Sequence, residues 1–268
     1  MRIPTAVRHA VLRSGIKRPA GRIVDYPLKF GAAAMFEHLG PWVTRWVVDG
    51  AESGGLVDYN EAHTTMLRHP RFAVEVAGKS VLDLGPLEGG NTAILCEMGA
   101  KSVLGVEGRA ANVARCLFIK NALGLDAARF ELGDARTVSV DSHGAFDIAV
   151  ATGILYHVDR PDLVLARLGE MADTLILSTH YATDRSPSQI AATSTFGDNY
   201  RGRLFREGGP DEVNSGLQSQ AVWPYEPDLL RMIRAAGWST IDVIDRPQRN
   251  RDSYALIYLV ATRERPAE

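Results

Sequence analysis

The feature that most constrains the fold of this chain is the stretch 81–90, Val-Leu-Asp-Leu-Gly-Pro-Leu-Glu-Gly-Gly. Its first residues are β-formers interrupted by one acid, Asp83, and a glycine-containing loop follows them before an amphipathic segment begins. This order predicts a strand, a tight turn and the start of a helix. Glycines accept positive φ angles and let a backbone pass close to a ligand, and the first N–H groups of a helix have no partner within it. Turns of this kind bind nucleotide-like ligands in open α/β sheets.

Strand and helix patterns alternate through the rest of this region, and strands that alternate with helices of about 10–15 residues indicate a parallel, doubly wound sheet. We expect strands over 80–84, 102–106, 129–132, 146–151 and 174–179, with helices over 90–98, 109–123, 161–171 and 226–236. Two last strands, 240–244 and 255–260, are close enough in sequence to pair antiparallel. The predicted fold is therefore α/β, with a doubly wound, mostly parallel seven-stranded sheet, a terminal antiparallel strand pair and an N-terminal helical cap.

Two segments interrupt this alternation and divide the chain. Residues 1–75 have a mostly helical pattern and form the predicted cap or arm, and residues 76–262 form the predicted main domain. Within that domain, residues 182–222 are polar and longer than an ordinary connection, which predicts a lid-like insertion. In the cap, Trp42 and Trp46 are four residues apart and would share one face of a helix.

Composition excludes some classes of protein and leaves others open. The net charge of −2 over 268 residues provides no global field for nucleic acid, although basic residues from Arg2 to Lys29 form either a solvated helix, which we favour, or an arm for RNA or membrane. No stretch approaches the ~20 apolar residues of a membrane span, and no signal peptide is visible. Cys96 and Cys116 lack metal-ligand spacing, so we expect buried thiols, no metal and a cytoplasmic protein, with the oligomeric state left open.

Acidic residues end three successive predicted strands, namely Asp83, Glu107 and Asp134. A carboxylate in the position of Glu107 can accept ribose hydroxyls in a dinucleotide or in S-adenosylmethionine. Asp83 discriminates between the two, because a carboxylate beside the glycine turn would repel a pyrophosphate but suits a sulfonium and an ammonium group. Asp134 faces the same crevice, where it can accept a hydrogen bond from an adenine amino group.

With these residues, the region 79–262 resembles the class I S-adenosylmethionine-dependent methyltransferases. Asp83-Leu84-Gly85 with Gly89 is similar to the first motif of that family, and the stretches 146–150 and 153–157 resemble its fourth motif and the segment after it. The family pattern has a further glycine where this chain has Leu87. The resemblance implies S-adenosylmethionine as cofactor and the following binding residues: Asp83, Gly85, Pro86, Gly89, Glu107, Gly108, Asp134, Ala135 and Thr152.

Two histidines near the carboxyl ends of the fourth and fifth strands are candidates for the base that removes a proton from the acceptor. His157 follows the fourth strand in Leu-Tyr-His-Val, and His180 ends the fifth. An imidazole titrates near neutral pH, which suits a hydroxyl acceptor. Either histidine can instead have a structural role, with His157 supporting its loop and His180 ending its strand.

The acceptor is predicted to be a small molecule methylated at oxygen, bound by Tyr156, Tyr181, Tyr200, Arg201 and Trp223, with aromatic and arginine residues of the insertion forming part of the site. An alternative is a methyltransferase acting on tRNA or other RNA, since Gly-Ile-Leu-Tyr-His is similar to a stretch of bacterial tRNA wobble-uridine carboxymethyltransferases. Nucleic acid is thus a less favoured partner that stays open. A second alternative is a non-catalytic module that binds the cofactor and regulates a partner.

Overall fold

The computed structural model describes residues 31–58, 60–61, 65–209, 212–247 and 254–263, so the basic arm predicted from Arg2 to Lys29 lies outside the described residues. The helices are α1 (Ala32–Leu39), α2 (Gly90–Glu97), α3 (Ala110–Leu123), α4 (Val140–His143), α5 (Pro161–Met171) and α6 (Glu226–Ala235), with short 3-10 turns at Met66–Arg68 and Leu155–His157. The strands are β1 (Val47–Val48), β2 (Ala51–Glu52), β3 (Ser80–Leu84), β4 (Ser102–Glu107), β5 (Ala128–Leu132), β6 (Phe146–Thr152), β7 (Ala172–Ala182), β8 (Gln189–Thr193), β9 (Asn199–Arg206), β10 (Gln220–Pro224), β11 (Thr240–Asp245) and β12 (Tyr254–Thr262).

A seven-stranded sheet in the order β11-β12-β7-β6-β3-β4-β5 forms the centre of the molecule. Strands β5, β4, β3, β6 and β7 pair in parallel, whereas β12 pairs antiparallel with both β7 and β11. The chain crosses from β5 to β6 on the other side of β3, which makes the carboxyl ends of β3 and β6 a topological switch point. The predicted fold class, with its antiparallel strand pair at the end of the chain, is confirmed.

Strand β3 is buried on both of its faces because helices cover the sheet on both sides. Leu82 and Leu84 point into one hydrophobic cluster, which includes residues of α5 and α6. Val81 points into the opposite cluster, which includes Ile94 and Leu95 of α2. Since side chains alternate along a strand, Asp83 shares the face of Val81 and lies on the α2 side of the sheet.

The N-terminal segment packs against α3 through aromatic rings. Helix α1 ends at Leu39, ahead of Gly40-Pro41, so the helix predicted to carry both Trp42 and Trp46 is not formed. Proline removes a backbone donor and restricts the residue before it, which explains why the chain leaves the helix there. Trp42 is instead buried with its ring 5.2 Å from that of Phe36 and 6.2 Å from that of Phe118. A hairpin of β1 and β2 follows.

The segment predicted as a lid-like insertion contains a second, three-stranded antiparallel sheet in the order β10-β9-β8. Tyr200 of β9 and Val222 of β10 belong to the same buried cluster as the main sheet. Backbone hydrogen bonds also join the two parts, since Val222 N donates to the carbonyl of Val158 at 2.9 Å. This second sheet therefore rests on the chain that follows β6.

Membrane spans, thiols and metal ligands can be checked over the described ranges. None of the helices there is long and apolar enough to cross a membrane. Cys96 and Cys116 are free thiols, and burial raises the pKa of the Cys96 thiol to about 11. Within those ranges no cluster of His, Cys, Asp or Glu side chains has the arrangement of a metal site.

Candidate functional site

A cavity of about 350 Å³ opens where the carboxyl ends of the parallel strands meet. The sequence-predicted residues that line it are Gly85, Pro86, Glu107, Gly108, Asp134, Ala135, Thr152, Tyr156 and His157. These residues come from the ends of β3, β4, β5 and β6, because parallel strands present their carboxyl ends at one edge of the sheet. The cavity also has walls from outside the sheet, formed by Val43 and Val57 on one side and by residues 213–218 on another.

Glu107 ends β4 with a carboxylate that is 5% exposed and held by three donors. The backbone N–H of Arg109 and the side-chain amide of Asn112 donate to Oε1 at 2.9 and 3.3 Å, and the N–H of Leu87 donates to Oε2 at 3.1 Å. Burial raises the pKa of this carboxyl, and the surrounding donors oppose the shift. The carboxylate is thus fixed in orientation at the cavity wall and keeps one lone-pair site, on Oε2, for a ligand.

The loop after β3 turns through three residues with positive φ: Gly85 at 70°, Leu87 at 57° and Gly89 at 85°. Leu87 stands where the resembled family has a glycine, and it takes the left-handed conformation that glycine adopts without strain. At Gly85 a Cβ atom would lie 2.9 Å from the side chain of Ile154, so the loop is closely packed against the segment after β6. Gly89 caps the N-terminus of α2 and does not line the cavity formed by the described residues.

Asp83 lies beneath this loop, not at the cavity wall formed by the described residues. Its side chain is 1% exposed, and its Oδ2 accepts a hydrogen bond from the hydroxyl of Thr92 at 2.5 Å. Burial raises the pKa of Asp83 to about 7; the Thr92 hydrogen bond opposes this shift and the charge of Glu107 adds to it. Any influence of Asp83 on a ligand is therefore exerted through the loop that covers it.

Asp134, at the far side of the cavity, is already engaged by an arginine. Both of its oxygens accept from the guanidinium of Arg136, with Nη2 to Oδ2 at 2.7 Å, and Arg136 also contacts Asp159 at 3.2 Å. Burial works to raise the pKa of Asp134, but the Arg136 hydrogen bonds outweigh it and lower the pKa. The carboxylate stays ionised, and because Arg136 and Gln218 already donate to it, a donor from a ligand would share or displace one of these hydrogen bonds.

Asn91 is a cavity residue that the sequence reasoning missed. It stands in the first turn of α2, and its amide donates to the Thr152 hydroxyl at 2.5 Å while its oxygen accepts from Thr65 at 3.1 Å. Thr152, predicted from the resemblance, is the last residue of β6. The signal for Asn91 was its place directly after the glycine loop, where helix N-termini face ligands.

His157 is paired with a buried carboxylate that sequence reasoning also missed. Its Nδ1 lies 3.0 Å from Oε2 and 3.2 Å from Oε1 of Glu207, whose side chain is 1% exposed. Glu207 is fifty residues away and directly follows β9 of the second sheet. A carboxylate at Nδ1 stabilises the tautomer with its proton on Nδ1 and leaves Nε2 as the basic nitrogen. No spacing motif connects the two residues, so only the folded chain shows the pair.

The residues that hold Glu207 belong to the cavity wall. The Ser215 hydroxyl and the Gly216 N–H donate to Oε2 at 2.7 and 2.6 Å. Burial works to raise the pKa of Glu207, but hydrogen bonds from His157, Gly216 and Ser215 outweigh it and lower the pKa. Residue 216 has no room for a side chain, because a Cβ atom there would lie 2.3 Å from the carbonyl oxygen of His157. The wall segment and the histidine turn therefore pack directly on each other.

His180, the second candidate base, lies in an aromatic stack behind the cavity. Its ring is 4.4 Å from that of Tyr156 and 5.1 Å from that of Trp223, and His180 is not among the described residues that line the cavity. Trp223, predicted to bind the acceptor, is 3% exposed and donates from Nε1 to the carbonyl of Tyr156 at 2.6 Å. His180 and Trp223 therefore support the turn that carries Tyr156 and His157. Of these four side chains, Tyr156 and His157 line the cavity.

Three other residues predicted to bind the acceptor lie outside the lining of this cavity. Tyr181 on β7 has a pKa that burial and the neighbouring Glu226 raise. Tyr200 is 3% exposed, and burial raises its pKa to about 12. Tyr200 and Arg201 line a separate, more open depression, and the Arg201 guanidinium lies 4.8 Å from the ring of Tyr225. The structure therefore does not bring these three residues together with His157.

A protein-family model and solved structures both show that this chain is similar to methyltransferases. Residues 75–218 match the model of a family described as a methyltransferase domain. The N-terminal domain of EvdMO1, solved in the presence of SAH and D-fucose, is 26% identical, with a TM-score of 0.72 over 86% of this chain and 94% of that one. Full-length EvdMO1 is 23% identical with a TM-score of 0.60, and the match spans 46% of its length. No curated protein sequence matches the chain.

A more distant solved structure shares the fold alone. An S-adenosylmethionine-dependent methyltransferase from Mesorhizobium loti is 19% identical, with a TM-score of 0.52 over 76% of this chain and 98% of that one. The family match covers more than half of the chain, and the cavity lies at the edge of the sheet where strand-end acids were predicted to bind a cofactor. The chain therefore belongs to the methyltransferase domain family and is an S-adenosylmethionine-dependent methyltransferase.

Proposed function

We propose that this enzyme methylates a hydroxyl oxygen of a small, polyhydroxylated acceptor, with His157 as the general base. The observation that carries the proposal is the contact of Glu207 with Nδ1 of His157 at the wall of the cavity. A hydroxyl is a weak nucleophile until a base takes its proton, whereas many amines and thiolates need no such help. A buried carboxylate–histidine pair supplies that base.

The residues at the cavity fit the cofactor. Glu107 and Asp134 offer carboxylate oxygens to hydroxyl and amino donors of a nucleoside, and both are held in place by other groups. Gly85 and Gly108 also line the cavity, at positions where a Cβ atom would lie 2.9 Å from Ile154 and 2.7 Å from Leu217, respectively. When bound, S-adenosylmethionine supplies an electrophilic methyl group, whose transfer breaks the sulfonium C–S bond, forms an O–C bond and leaves S-adenosylhomocysteine (SAH). We assign Glu107 to the ribose hydroxyls and Asp134 with Ala135 to the adenine.

His157 then has one task, which is to take the proton that the acceptor oxygen loses. Glu207 occupies Nδ1, so the proton goes to Nε2 and the ring becomes an imidazolium. The ionised Glu207, whose side chain is 1% exposed, stabilises that cation at short range. Tyr156 packs with its ring 4.3 Å from that of His157 and restricts its orientation.

The polar lining supports an acceptor rich in hydroxyl groups. Side chains of Asn91, Thr152, Asn214 and Gln218 surround the cavity and can exchange hydrogen bonds with several hydroxyls. The N-terminal domain of EvdMO1, which is 26% identical to this chain, was solved in the presence of D-fucose, a sugar of this kind. We therefore propose a sugar or sugar-like acceptor. The free thiols of Cys96 and Cys116 accord with action in a reducing cytoplasm.

The test uses His157→Gln, Glu207→Gln and a matched control, His38→Gln, on the exposed face of α1. Methyl transfer from labelled S-adenosylmethionine is measured over a panel of D-fucose, related deoxysugars and their amino-sugar analogues. We expect His157→Gln to lower kcat by the ~10²–10⁴ typical of a lost general base, with SAH affinity by calorimetry close to wild type.

Two results would contradict the proposal in different places. Methyl transfer to the amino groups of the amino sugars, with none to a hydroxyl group, would refute O-methylation as the reaction. A kcat of His157→Gln close to that of the wild type would refute the role of His157 as general base, and His157 would then only form part of the cavity wall. Glu207→Gln should lie between the wild type and His157→Gln, because it weakens the base without removing it.

A further inference from the structure

One face of α3 connects three parts of the molecule that the sequence keeps far apart. Asn112 and Arg115 are three residues apart on that face, and Arg109 is the residue directly before the helix. Arg109 donates to the carbonyls of Gly209 and Gly216, at 3.3 and 3.0 Å, and Arg115 donates to the carbonyl of Leu39 at 2.7 Å. Asn112 lies between the two arginines.

The side chain of Asn112 is 1% exposed, and both ends of its amide are used. Its Nδ2 donates to Oε1 of Glu107 at 3.3 Å and to the carbonyl of Val213 at 3.1 Å. Its Oδ1 accepts from the guanidinium of Arg115 at 2.5 Å, which fixes the direction of the amide. One buried donor group is therefore shared between the acid assigned to the cofactor ribose and the wall segment 212–218, here called the wall loop.

The wall loop continues from Val213 to the residues that hold Glu207, the partner of His157. Ser215 and Gly216 donate to Glu207, which contacts Nδ1 of His157. Hydrogen bonds thus join Glu107 to Val213 through Asn112, and the backbone of the wall loop joins Val213 to Ser215 and Gly216, which bond Glu207. Each link is buried or half-buried, where hydrogen bonds are stronger than in water.

We propose that Asn112 is a positioning residue that couples cofactor binding at Glu107 to the seating of the wall loop. A cofactor bonded to the Glu107 carboxylate further restrains the Asn112 amide that donates to it, and the same amide holds Val213. The proposal rests on the proposed function for the role of Glu107, but it does not require His157 to be the base. Coupling of this kind is reciprocal, so a loosened wall loop weakens the cofactor by the same factor.

The experiment uses SAH as the probe and reads the loop directly. Asn112→Asp keeps the size of the side chain and its acceptor for Arg115, but it replaces the shared donor with an acceptor facing Glu107 and Val213. Asn112→Ser is a second variant that carries no added charge, in case the aspartate variant does not fold. Asn121→Asp is the matched control, because it makes the same change at an exposed position of the same helix.

Hydrogen exchange of peptides within 212–218 is measured without SAH and at a saturating concentration, alongside calorimetry of SAH binding. We expect SAH to slow exchange in the wild type and in Asn121→Asp. In both Asn112 variants we expect SAH affinity to fall on the order of tenfold or more, the cost of one hydrogen bond to a charged group. Saturating SAH should then no longer protect the loop.

The outcomes separate this proposal from the proposed function. Equal protection of the loop in the Asn112 variants and the wild type would overturn the coupling, as would a wild type that binds SAH without protecting the loop. A wild type that does not bind SAH would overturn the assignment of Glu107 together with the coupling. Loop protection that depends on Asn112, in an enzyme whose His157→Gln variant remains fully active, would support the coupling and refute the base.

Discussion

Asp83 makes the stability of this enzyme depend on pH in a direction opposite to that of most carboxylates. Burial raises its pKa to about 7 in the folded chain, against about 3.9 for an exposed aspartate. Because the folded-state value is the higher one, the folded chain retains a proton that the unfolded chain has released. The stabilisation is complete below pH ~4 and is lost as the pH rises through about 7.

The size of the effect follows from that difference in pKa. One pKa unit corresponds to ~1.4 kcal/mol, so this group should reduce the free energy of unfolding by roughly 2–3 kcal/mol between about pH 5 and pH 8. Asp83→Asn removes the titration and keeps the shape, and its carbonyl can still accept from Thr92. The buried amide N–H₂ costs about 1–3 kcal/mol if it finds no acceptor, but this cost does not change with pH.

The assay is urea unfolding of the cofactor-free wild type and of Asp83→Asn at several pH values from 5 to 8. The free energy of unfolding of the variant minus that of the wild type should increase steadily across this range. Asp141→Asn, at an exposed position of α4, serves as the control and should show no such trend. A difference that stays constant from the lowest to the highest pH would mean that Asp83 is ionised in the folded enzyme, and the reasoning from burial would fail.

Two further predictions concern the loop after β3. Leu87 has a φ of 57°, a backbone conformation that strains every residue except glycine. Leu87→Gly should therefore have a free energy of unfolding about 1 kcal/mol higher than that of Leu87→Ala. Chemical denaturation in which the alanine variant is the more stable of the two would refute this. The buried carboxylate of Glu88 accepts from the N–H groups of Val43 and Thr44, at 2.9 and 2.7 Å. Glu88→Gln should cost ~1.5–3 kcal/mol of unfolding free energy and speed proteolysis within 40–58, whereas unchanged cleavage would show that the contact does not hold this segment.

The position of most residues proposed to bind the cofactor, at the edge of one cavity, could be predicted from sequence because they lie within a few positions of strand ends. Glu107 ends β4, Thr152 ends β6, and Gly85 directly follows β3. Strand patterns of alternating or continuous apolar residues locate those ends, and the doubly wound topology places them at one edge. Asp83 shows the limit of this argument, since its position in the strand directs it to the face beneath the loop.

The acceptor side could not be predicted, because it is built from contacts between distant segments. Glu207 reaches His157 only after β8, β9 and β10 form a sheet and seat it on the turn after β6. Sequence distance gives no information about such a pair. His180 and Trp223 show the reverse case, in which suitable side chains at suitable strand ends became packing for Tyr156.

The two kinds of wall around one cavity imply a division of roles within the chain. The strand ends of the sheet provide the carboxylates for a constant cofactor, whereas the segments from the N-terminus and the second sheet close the remaining sides. Buried polar side chains attach both added walls. Glu88 holds the segment that includes Val43, and Asn112 and Glu207 hold the wall loop together with Arg109. Changes elsewhere in those walls can therefore alter the acceptor while the cofactor contacts of the sheet stay as they are. The proposed base is the exception, because Glu207 belongs to an added wall and His157 to the turn after β6, so under this proposal acceptor choice and proton transfer are linked.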